Sequence, residues 1–547
     1  MPQLLRRHQI EFGKTDAKSS FITRDQSAKK LFIDAFASPE QHEIDAIRSG
    51  DRFIFYGTKG SGKTALLRYM LEMEKNAGNV TKAIVFSEDI SAQERDKIAQ
   101  NLEFDNEVKP DIGDDVDTRD MWRVYLAQKI AELLSSDNRM FDACKDASRL
   151  HAVISKIFDD NKVRGLQRIL SGIKAGQLTL KGKAGDFAEM EAMLNWEKPE
   201  DGSINYNRFA DLVIEKICKF HYPSDIKFIV YLDELNLSMI GQKQHKRDSI
   251  LIRDLIITVG QLNRRFIEAG IPVYLYTAVR VEIAKAASIS RNEIDKYLVD
   301  HGFHLDWHKG ADVTKYPIFD IIEKRISAIE MKHFGKCNTN NEIWTSYFSR
   351  DIFGVSPKQF ISEITWCNPR DIVNLFNAAT NVTPGATQYN TNVFADVLVE
   401  YSDIAWTERA EELNAAHNMS VVNVMRRILA GWERHFTVDQ FTRRAESIAA
   451  RDQLVMQVVK TLGAEGICRD LYHVGVLGQS VRAGKTYTNN DGRVVYPTHQ
   501  TWFYRDNREF DRSETLSVHR ALFSCLKLGR LKVDDFGNDP RYWQHKQ

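Results

Sequence analysis

Eight consecutive residues in the first part of the chain have the types and spacing of a phosphate-binding loop. They are Gly57, Thr58, Lys59, Gly60, Ser61, Gly62, Lys63 and Thr64. This order fits the pattern G-x-x-x-x-G-K-[ST] at every fixed position. An apolar run precedes the loop and helix-forming residues follow it, which is the context that the pattern requires.

The glycines explain how such a loop would bind an anion. Because glycine has no side chain, backbone N–H groups can surround a phosphate at the N-terminus of a helix, where a partial positive charge is located. We expect Lys63 to reach the β- and γ-phosphates of ATP. We expect the Thr64 hydroxyl to bind Mg²⁺, which prefers oxygen ligands. The alternative is a glycine-rich turn that matches by chance, and the flanking strand and helix make it the weaker interpretation.

Two adjacent carboxylates end a second apolar segment, which reads DIKFIVYLDELN over residues 225–236. Side chains alternate along a strand, so Asp233 and Glu234 point in different directions and can have different roles. We expect Asp233 to bind in the Mg²⁺ shell and Glu234 to polarise the attacking water. The alternative is a buried strand that ends in a charged turn.

Short apolar segments alternate with helical patterns through the first 310 residues. Residues 82–87, 272–278 and 303–307 are typical of further strands, and residues 249–269 of an amphipathic helix. Strands that alternate with helices form a parallel sheet with right-handed crossovers. The sequence therefore predicts an α/β fold with the parallel sheet of a P-loop NTPase.

Changes of pattern along the chain predict its division into domains. The predicted parts are an N-terminal segment (1–50), the sheet-forming core (51–310) with a helical insertion at about 91–222, a helical lid (311–415) and a C-terminal domain (416–547). The last of these contains three short helical patterns, followed by strand patterns around an Asn-Asp-Gly turn. Three helices and a β-ribbon predict a winged-helix-like domain.

Composition excludes several classes of protein. Lys plus Arg and Asp plus Glu number 75 each, so no global charge attracts a polyanion, and a nucleic-acid surface would have to be a local patch. The six cysteines lack C-x-x-C spacing, which argues against a zinc site and a disulfide framework. The sequence has no run of 18 apolar residues, so we expect no membrane contact and a cytoplasmic location.

Two local sets of cations fall in the C-terminal domain. Arg482, Lys485 and Arg493 belong to the predicted wing, and the second set consists of Arg426, Arg427, Arg443 and Arg444. They make nucleic-acid binding one interpretation of this domain. Packing or protein contacts are an equal alternative, because acidic residues are interleaved with the cations.

The combination of GTKGSGKT, LDE, TAVR, NPRD and a winged-helix-like tail resembles bacterial P-loop ATPases of the AAA+ and STAND type. The KAP ATPases are similar in type, but they often carry transmembrane helices between the two nucleotide-site motifs, where this sequence has no apolar run of 18 residues. In such families a polar residue at the tip of the TAVR strand senses the γ-phosphate, which implies Thr277 or Arg280. An arginine of the helical lid has a similar role, which implies Arg370 in NPRD. The resemblance also implies Arg291 as an arginine finger.

The resemblance further implies ATP and Mg²⁺ as cofactors, a homo-oligomer, and a nucleotide-controlled switch beside a separate effector in defence against phages or mobile elements. An alternative is a DNA-binding or DNA-loading AAA+ ATPase of the origin-recognition type, which also joins such a core to a winged helix. A nucleotide-binding scaffold without turnover is the third alternative.

Overall fold

The structure is a computed structural model of the 547-residue chain. It describes residues 3–21, 23–86, 118–136, 141–157, 177–179, 203–233, 242–280, 293–310, 312–482, 487–488, 494–495, 498–506 and 508–536. The chain divides into two compact units. The core unit comprises Glu40–Lys59 and Lys63–Leu305, and the helical unit comprises Met1–Pro39, Gly60–Gly62 and Asp306–Gln547.

A parallel sheet organises the core unit. The strands of this unit are β1 (Ile54–Gly57), β2 (Val80–Val85), β3 (Gln177–Thr179), β4 (Ser203–Asn205), β5 (Phe228–Asp233), β6 (Val273–Arg280) and β7 (Gly302–His304). Within the described ranges, five of them form one sheet in the order β2-β5-β6-β1-β7, and every neighbouring pair is parallel. All six residues of β5 are buried, as expected for a central strand of a parallel sheet. The predicted α/β class is confirmed.

The register of the sheet aligns the ends of its central strands. Gly57 of β1 pairs with Arg280 of β6, and Leu232 of β5 pairs with Thr277 of β6. The carboxyl ends of β1, β5 and β6 therefore meet at one edge, where ligands bind in open parallel sheets.

Helices connect the strands of the core unit. Those that the structure describes are Ile44–Ser49, Lys63–Asn76, Arg119–Ser135, Phe141–Ile157, Tyr206–Cys218, Gln242–Glu268 and Glu293–His301. The predicted insertion contributes the helix that begins at Arg119, in which Trp122 is buried and donates its indole N–H to Leu251 O at 2.9 Å. This helix is therefore packed into the core unit.

The helical unit combines many helices with a small antiparallel sheet. Its helices are Ala17–Phe21, Gln26–Asp34, Phe319–Phe334, Asn340–Tyr347, Pro357–Ile364, Pro369–Asn381, Thr391–Ala416, Met419–Leu429, Val438–Ala449, Gln453–Leu462, Ala464–His473 and Phe503–Asp506. Its strands are β8 (His435–Phe436), β9 (Leu477–Arg482), β10 (Tyr487–Thr488), β11 (Val494–Val495), β12 (Thr498–Thr501) and β13 (Thr515–Val518).

The topology at the end of the chain agrees with the predicted three helices and β-ribbon. Strands β12, β9, β13 and β8 form an antiparallel sheet in that order, and β10 pairs antiparallel with β11 on either side of the predicted Asn-Asp-Gly turn. The turn itself lies outside the described residues. One cluster of buried apolar side chains runs from Leu5 to Phe536, so the N-terminal segment, the lid and the C-terminal helices share a hydrophobic core.

None of the helices within the described ranges is both long and apolar enough to cross a bilayer.

Candidate nucleotide-binding site

The predicted phosphate loop has the expected strand, turn and helix. Strand β1 ends at Gly57, and a helix begins at Lys63. Between them, Gly60 and Gly62 have φ angles of 82° and 92°. This left-handed region is open to glycine and strained for other residues, so the backbone itself requires both glycines.

The Lys63 ammonium group lies inside the loop. Its Nζ donates to Gly57 O at 2.8 Å and to Thr58 O at 2.7 Å. These two carbonyl oxygens fix the position of the ammonium charge at the start of the loop. From this position it can interact with a phosphate that enters the loop.

Thr64 and Asp233, the two residues predicted to bind Mg²⁺, lie close together. The Thr64 hydroxyl donates to Asp233 Oδ1 at 3.3 Å, and Asp233 is only 5% exposed. A hydroxyl and a carboxylate from different elements thus present neighbouring oxygen atoms. Oxygen donors of this kind fit Mg²⁺, which binds one or two protein oxygens and keeps several waters.

Strand β6 lies between β1 and β5 and carries two of the three candidates for γ-phosphate sensing, Thr277 and Arg280. Thr277 is fully buried, and its hydroxyl has no hydrogen-bond partner in the part of the chain that the structure describes. Arg280 ends the strand and is level with Gly57, the first residue of the phosphate loop. The strand extends beyond the predicted end at residue 278, because its last residues pair with β1.

The glycine turn packs against the start of a helix of the helical unit. A Cβ atom on Gly60 would lie 3.0 Å from Asn368 Oδ1 and 3.3 Å from Arg370 Cβ. Such an atom on Gly62 would lie 3.5 Å from Pro369 Cγ. The predicted NPRD segment therefore lies beside residues 60–62, which belong to the same compact unit.

Trp307 also contacts this turn, although its sequence pattern indicates only the end of a strand. It is 3% exposed, and its indole N–H donates to Ser61 O at 2.8 Å. The two residues are 246 positions apart, so no local pattern links them.

The NPRD segment begins a helix for clear local reasons. The Asn368 side chain accepts a hydrogen bond from the backbone N–H of Asp371, and Pro369 occupies the first turn, where its missing N–H is not needed. Asp371 is buried and accepts from Asn368 Nδ2 at 2.6 Å and from the Trp366 backbone N–H at 3.2 Å. Burial raises the pKa of the Asp371 carboxyl, and the nearby Arg409 opposes this shift.

Arg370 lies on the first turn of this helix, and its head group is already engaged. Nη1 donates to Glu408 Oε2 at 3.0 Å. The side chains are 29% and 19% exposed, so the ion pair is partly buried. Glu408, which no sequence motif singles out, belongs to the helix Thr391–Ala416.

Two predicted residues cannot be placed. Glu234, the candidate for activating water, and Arg291, the candidate finger, both lie outside the described residues.

The predicted basic sets are only partly available to a ligand. Arg426 pairs with Asp403 at 3.3 Å and Arg427 pairs with Asp452, whereas Arg443 is exposed. Lys485 and Arg493 lie outside the described residues, and only the backbone of Arg482 is described. Two members of the second set are therefore committed to internal ion pairs.

Comparison with known proteins gives one family match. Residues 317–408 match the model of the FunZ-associated C-terminal helical domain, a stretch that includes both Arg370 and Glu408. No curated protein sequence matches the chain. A solved structure of the Aeropyrum pernix ORC1 protein in complex with DNA aligns with 91% of this chain and 95% of its own length, at 12% identity and a TM-score of 0.35. That likeness is too weak to support a conclusion about fold or function.

Proposed function

We propose that this chain is an Mg²⁺-dependent ATPase whose nucleotide state controls its assembly or its engagement with a partner. The observation that carries the proposal is the approach of the Thr64 hydroxyl to Asp233 Oδ1, at 3.3 Å, beside a lysine held within a glycine loop. A buried acid, a hydroxyl and a cation at the end of one parallel sheet form the set that phosphoryl transfer needs.

Each residue has a physical task in this proposal. The loop backbone and Lys63 bind and orient the phosphates, and Thr64 and Asp233 hold the metal ion. Mg²⁺ held by these two residues would supply neutralisation of the phosphate charge. Glu234, which follows Asp233 in the chain, orients the water as a general base. Positioning and charge stabilisation account for catalysis, since phosphoryl transfer requires little covalent chemistry from the protein.

The switch role rests on the lid. Arg370 lies in the first turn of a helix beside the glycine turn, and both belong to the helical unit, so this unit can respond to a change at the phosphates. In our proposal Arg370, with Thr277 or Arg280, senses the γ-phosphate, and the helical unit communicates the nucleotide state to a homo-oligomer or a separate effector. Defence against phages is the biological setting that the resemblance of the sequence implies.

The decisive experiment compares two substitutions. Lys63→Ala should abolish ATP binding, because it removes the cation at the phosphates. Glu234→Gln should leave binding intact and stop hydrolysis, because only water activation is lost. Binding is measured by titration calorimetry and turnover by phosphate release. Equal loss of ATP affinity in both variants would contradict the assigned roles, and a wild-type protein that binds ATP without hydrolysing it would be a scaffold.

A DNA-binding ATPase is the second candidate, and the antiparallel sheet beside three C-terminal helices favours it. Such a protein should bind duplex DNA with an affinity that falls steeply with salt. Replacing Arg482, Lys485 and Arg493 by Ala should then lower the salt slope by about one unit for each phosphate interaction that the substitutions remove. A switch ATPase should instead change its particle mass between ATP and ADP. Tight, salt-sensitive DNA binding with no change of mass would favour the second candidate.

A further inference from the structure

Arg370 is expected to detect the nucleotide through its guanidinium group. In the structure this group is paired with the Glu408 carboxylate. The two residues are 38 positions apart, and the contact joins the first turn of one helix to the last third of another. Their Nη1–Oε2 distance is 3.0 Å. The pair thus combines a charge-assisted hydrogen bond with partial burial, which makes it stronger than an exposed surface ion pair.

The neighbouring charges favour a position of the Arg370 guanidinium beside Glu408. Arg409 pairs with Glu412 at 3.3 Å, and both Arg409 and the neighbouring Asp371 are buried. Together with Arg370 and Glu408, two cations face three carboxylates. Moving the Arg370 guanidinium away separates it from these carboxylates, so an incoming anion must compete with them for it.

The position of Arg370 makes such competition relevant to nucleotide binding. Its Cβ lies 3.3 Å from the point that a Cβ of Gly60 would occupy, while its guanidinium is bound to Glu408. The base of the side chain is therefore next to the phosphate loop, and its charged end is held by a carboxylate of the same unit.

We infer that Glu408 is a specificity-determining residue, which holds Arg370 until a γ-phosphate replaces it. This inference rests on the proposed function. ATP offers an anion that can take the N–H donors of Arg370 from Glu408. ADP lacks the γ-phosphate, so Arg370 stays with Glu408. Glu408 therefore reduces the affinity for ATP and leaves that for ADP unchanged, and it links release of the lid arginine to the presence of the third phosphate.

The test is Glu408→Gln in the full chain, with ATP and ADP affinities measured by titration in Mg²⁺ under conditions without turnover. Loss of the carboxylate charge weakens the competitor, so ATP affinity should rise by about three- to tenfold, with ADP affinity unchanged. Glu400→Gln is the matched control: it makes the same charge change at an exposed position of the same helix. It should change neither affinity.

A double substitution assigns the effect to Arg370. In the Arg370→Ala background, Glu408→Gln should have no effect on the ATP-to-ADP affinity ratio, because the residue that it restrains is absent. A reduced ATP affinity in the single Glu408→Gln variant would show that the carboxylate positions Arg370 for the phosphate, and the inference would be wrong. An unchanged ratio, or an equal gain for ADP, would also overturn it.

Failure of the proposed function gives a different result. If wild-type protein shows no Lys63-dependent ATP binding, the ATPase proposal fails and the role of Glu408 fails with it. If that binding is present and the ratio does not respond to Glu408→Gln, only the role of Glu408 is wrong.

Discussion

In our proposal the phosphate loop and Arg370 both contact phosphate, and the loop and the Arg370–Glu408 pair are built in opposite ways. In the loop, backbone angles at Gly60 and Gly62 set the shape, and Lys63 is held by two carbonyl oxygens within six positions. The pair depends on two side chains 38 positions apart. A site made from backbone binds an anion in one fixed geometry, whereas a side-chain pair can exchange one anion for another. The first is suited to binding nucleotide, and the second to reporting which nucleotide is bound.

The largest expected effect on ATP affinity comes from comparing the Gly60→Ala variant with the Gly78→Ala variant. Both glycines have positive φ, 82° and 86°, so an alanine strains the backbone by roughly 1–2 kcal/mol at either site. Only at Gly60 would the new methyl group lie 3.0 Å from Asn368 Oδ1, since nothing lies within 4 Å at Gly78. We expect both variants to lose stability, Gly60→Ala more because of its tight contact, and Gly60→Ala alone to lose at least about 100-fold in ATP affinity. Equal ATP affinities would mean that the backbone geometry of the loop is not required.

A smaller difference in ATP affinity is expected between substitutions of two buried tryptophans of the helical unit. Trp307 donates to Ser61 O at 2.8 Å and Trp366 donates to Gly475 O at 2.9 Å, so a phenylalanine at either position leaves a buried carbonyl without its partner. Each variant should lose about 1–3 kcal/mol of unfolding free energy, measured in urea. Trp307→Phe should also weaken ATP binding by roughly three- to tenfold, since it frees the loop carbonyl, whereas Trp366→Phe should not. The same ATP affinity in both variants would mean that Trp307 does not contribute to ATP binding.

These comparisons show which features could be read from the sequence. The phosphate loop and the strand that ends at Asp233 depend on residues close together in the chain, and the structure places their side chains 3.3 Å apart. The contact of Trp307 with Ser61 and that of Glu408 with Arg370 arise from packing between distant segments, which periodicity does not encode. Strand β6 ends later than predicted for the same reason, because pairing with a neighbouring strand extends it to Arg280.

The smallest expected effect concerns the pH dependence of stability, away from the nucleotide site. His519 is 1% exposed and stacks on Trp366, with ring centroids 3.9 Å apart. Burial, together with Arg520, Arg409 and Arg505, lowers the pKa of this imidazole well below its ordinary value. The folded protein therefore resists protonation, whereas an unfolded histidine accepts a proton below about pH 6.5.

This difference in protonation between the folded and unfolded states sets the direction in which stability changes with pH. As pH falls below about 6.5, the unfolding free energy should decrease by up to about 1.4 kcal/mol per pH unit for this group. His519→Gln should reduce that slope by up to the same amount, measured by urea unfolding at pH 7 and pH 5.5. Burial lowers the pKa of His435 and His473 as well, so part of the slope should remain. An unchanged slope would contradict a neutral, buried His519.

The helical unit is discontinuous in the sequence, and this has a consequence for how the protein is made. Leu5, Ile10 and Phe12 are buried in that unit, and Phe12 stacks on Phe376 with ring centroids 4.5 Å apart. Their partners begin at Asp306, so the ribosome must translate the whole core unit first, which takes about 15 to 60 s at 5–20 residues per second. Throughout that interval Leu5, Ile10 and Phe12 of the nascent N-terminal segment lack the apolar partners that lie after Asp306. Such a segment is a natural substrate for chaperones that act on nascent chains, and we expect it to join its core only as the second half of the protein leaves the ribosome.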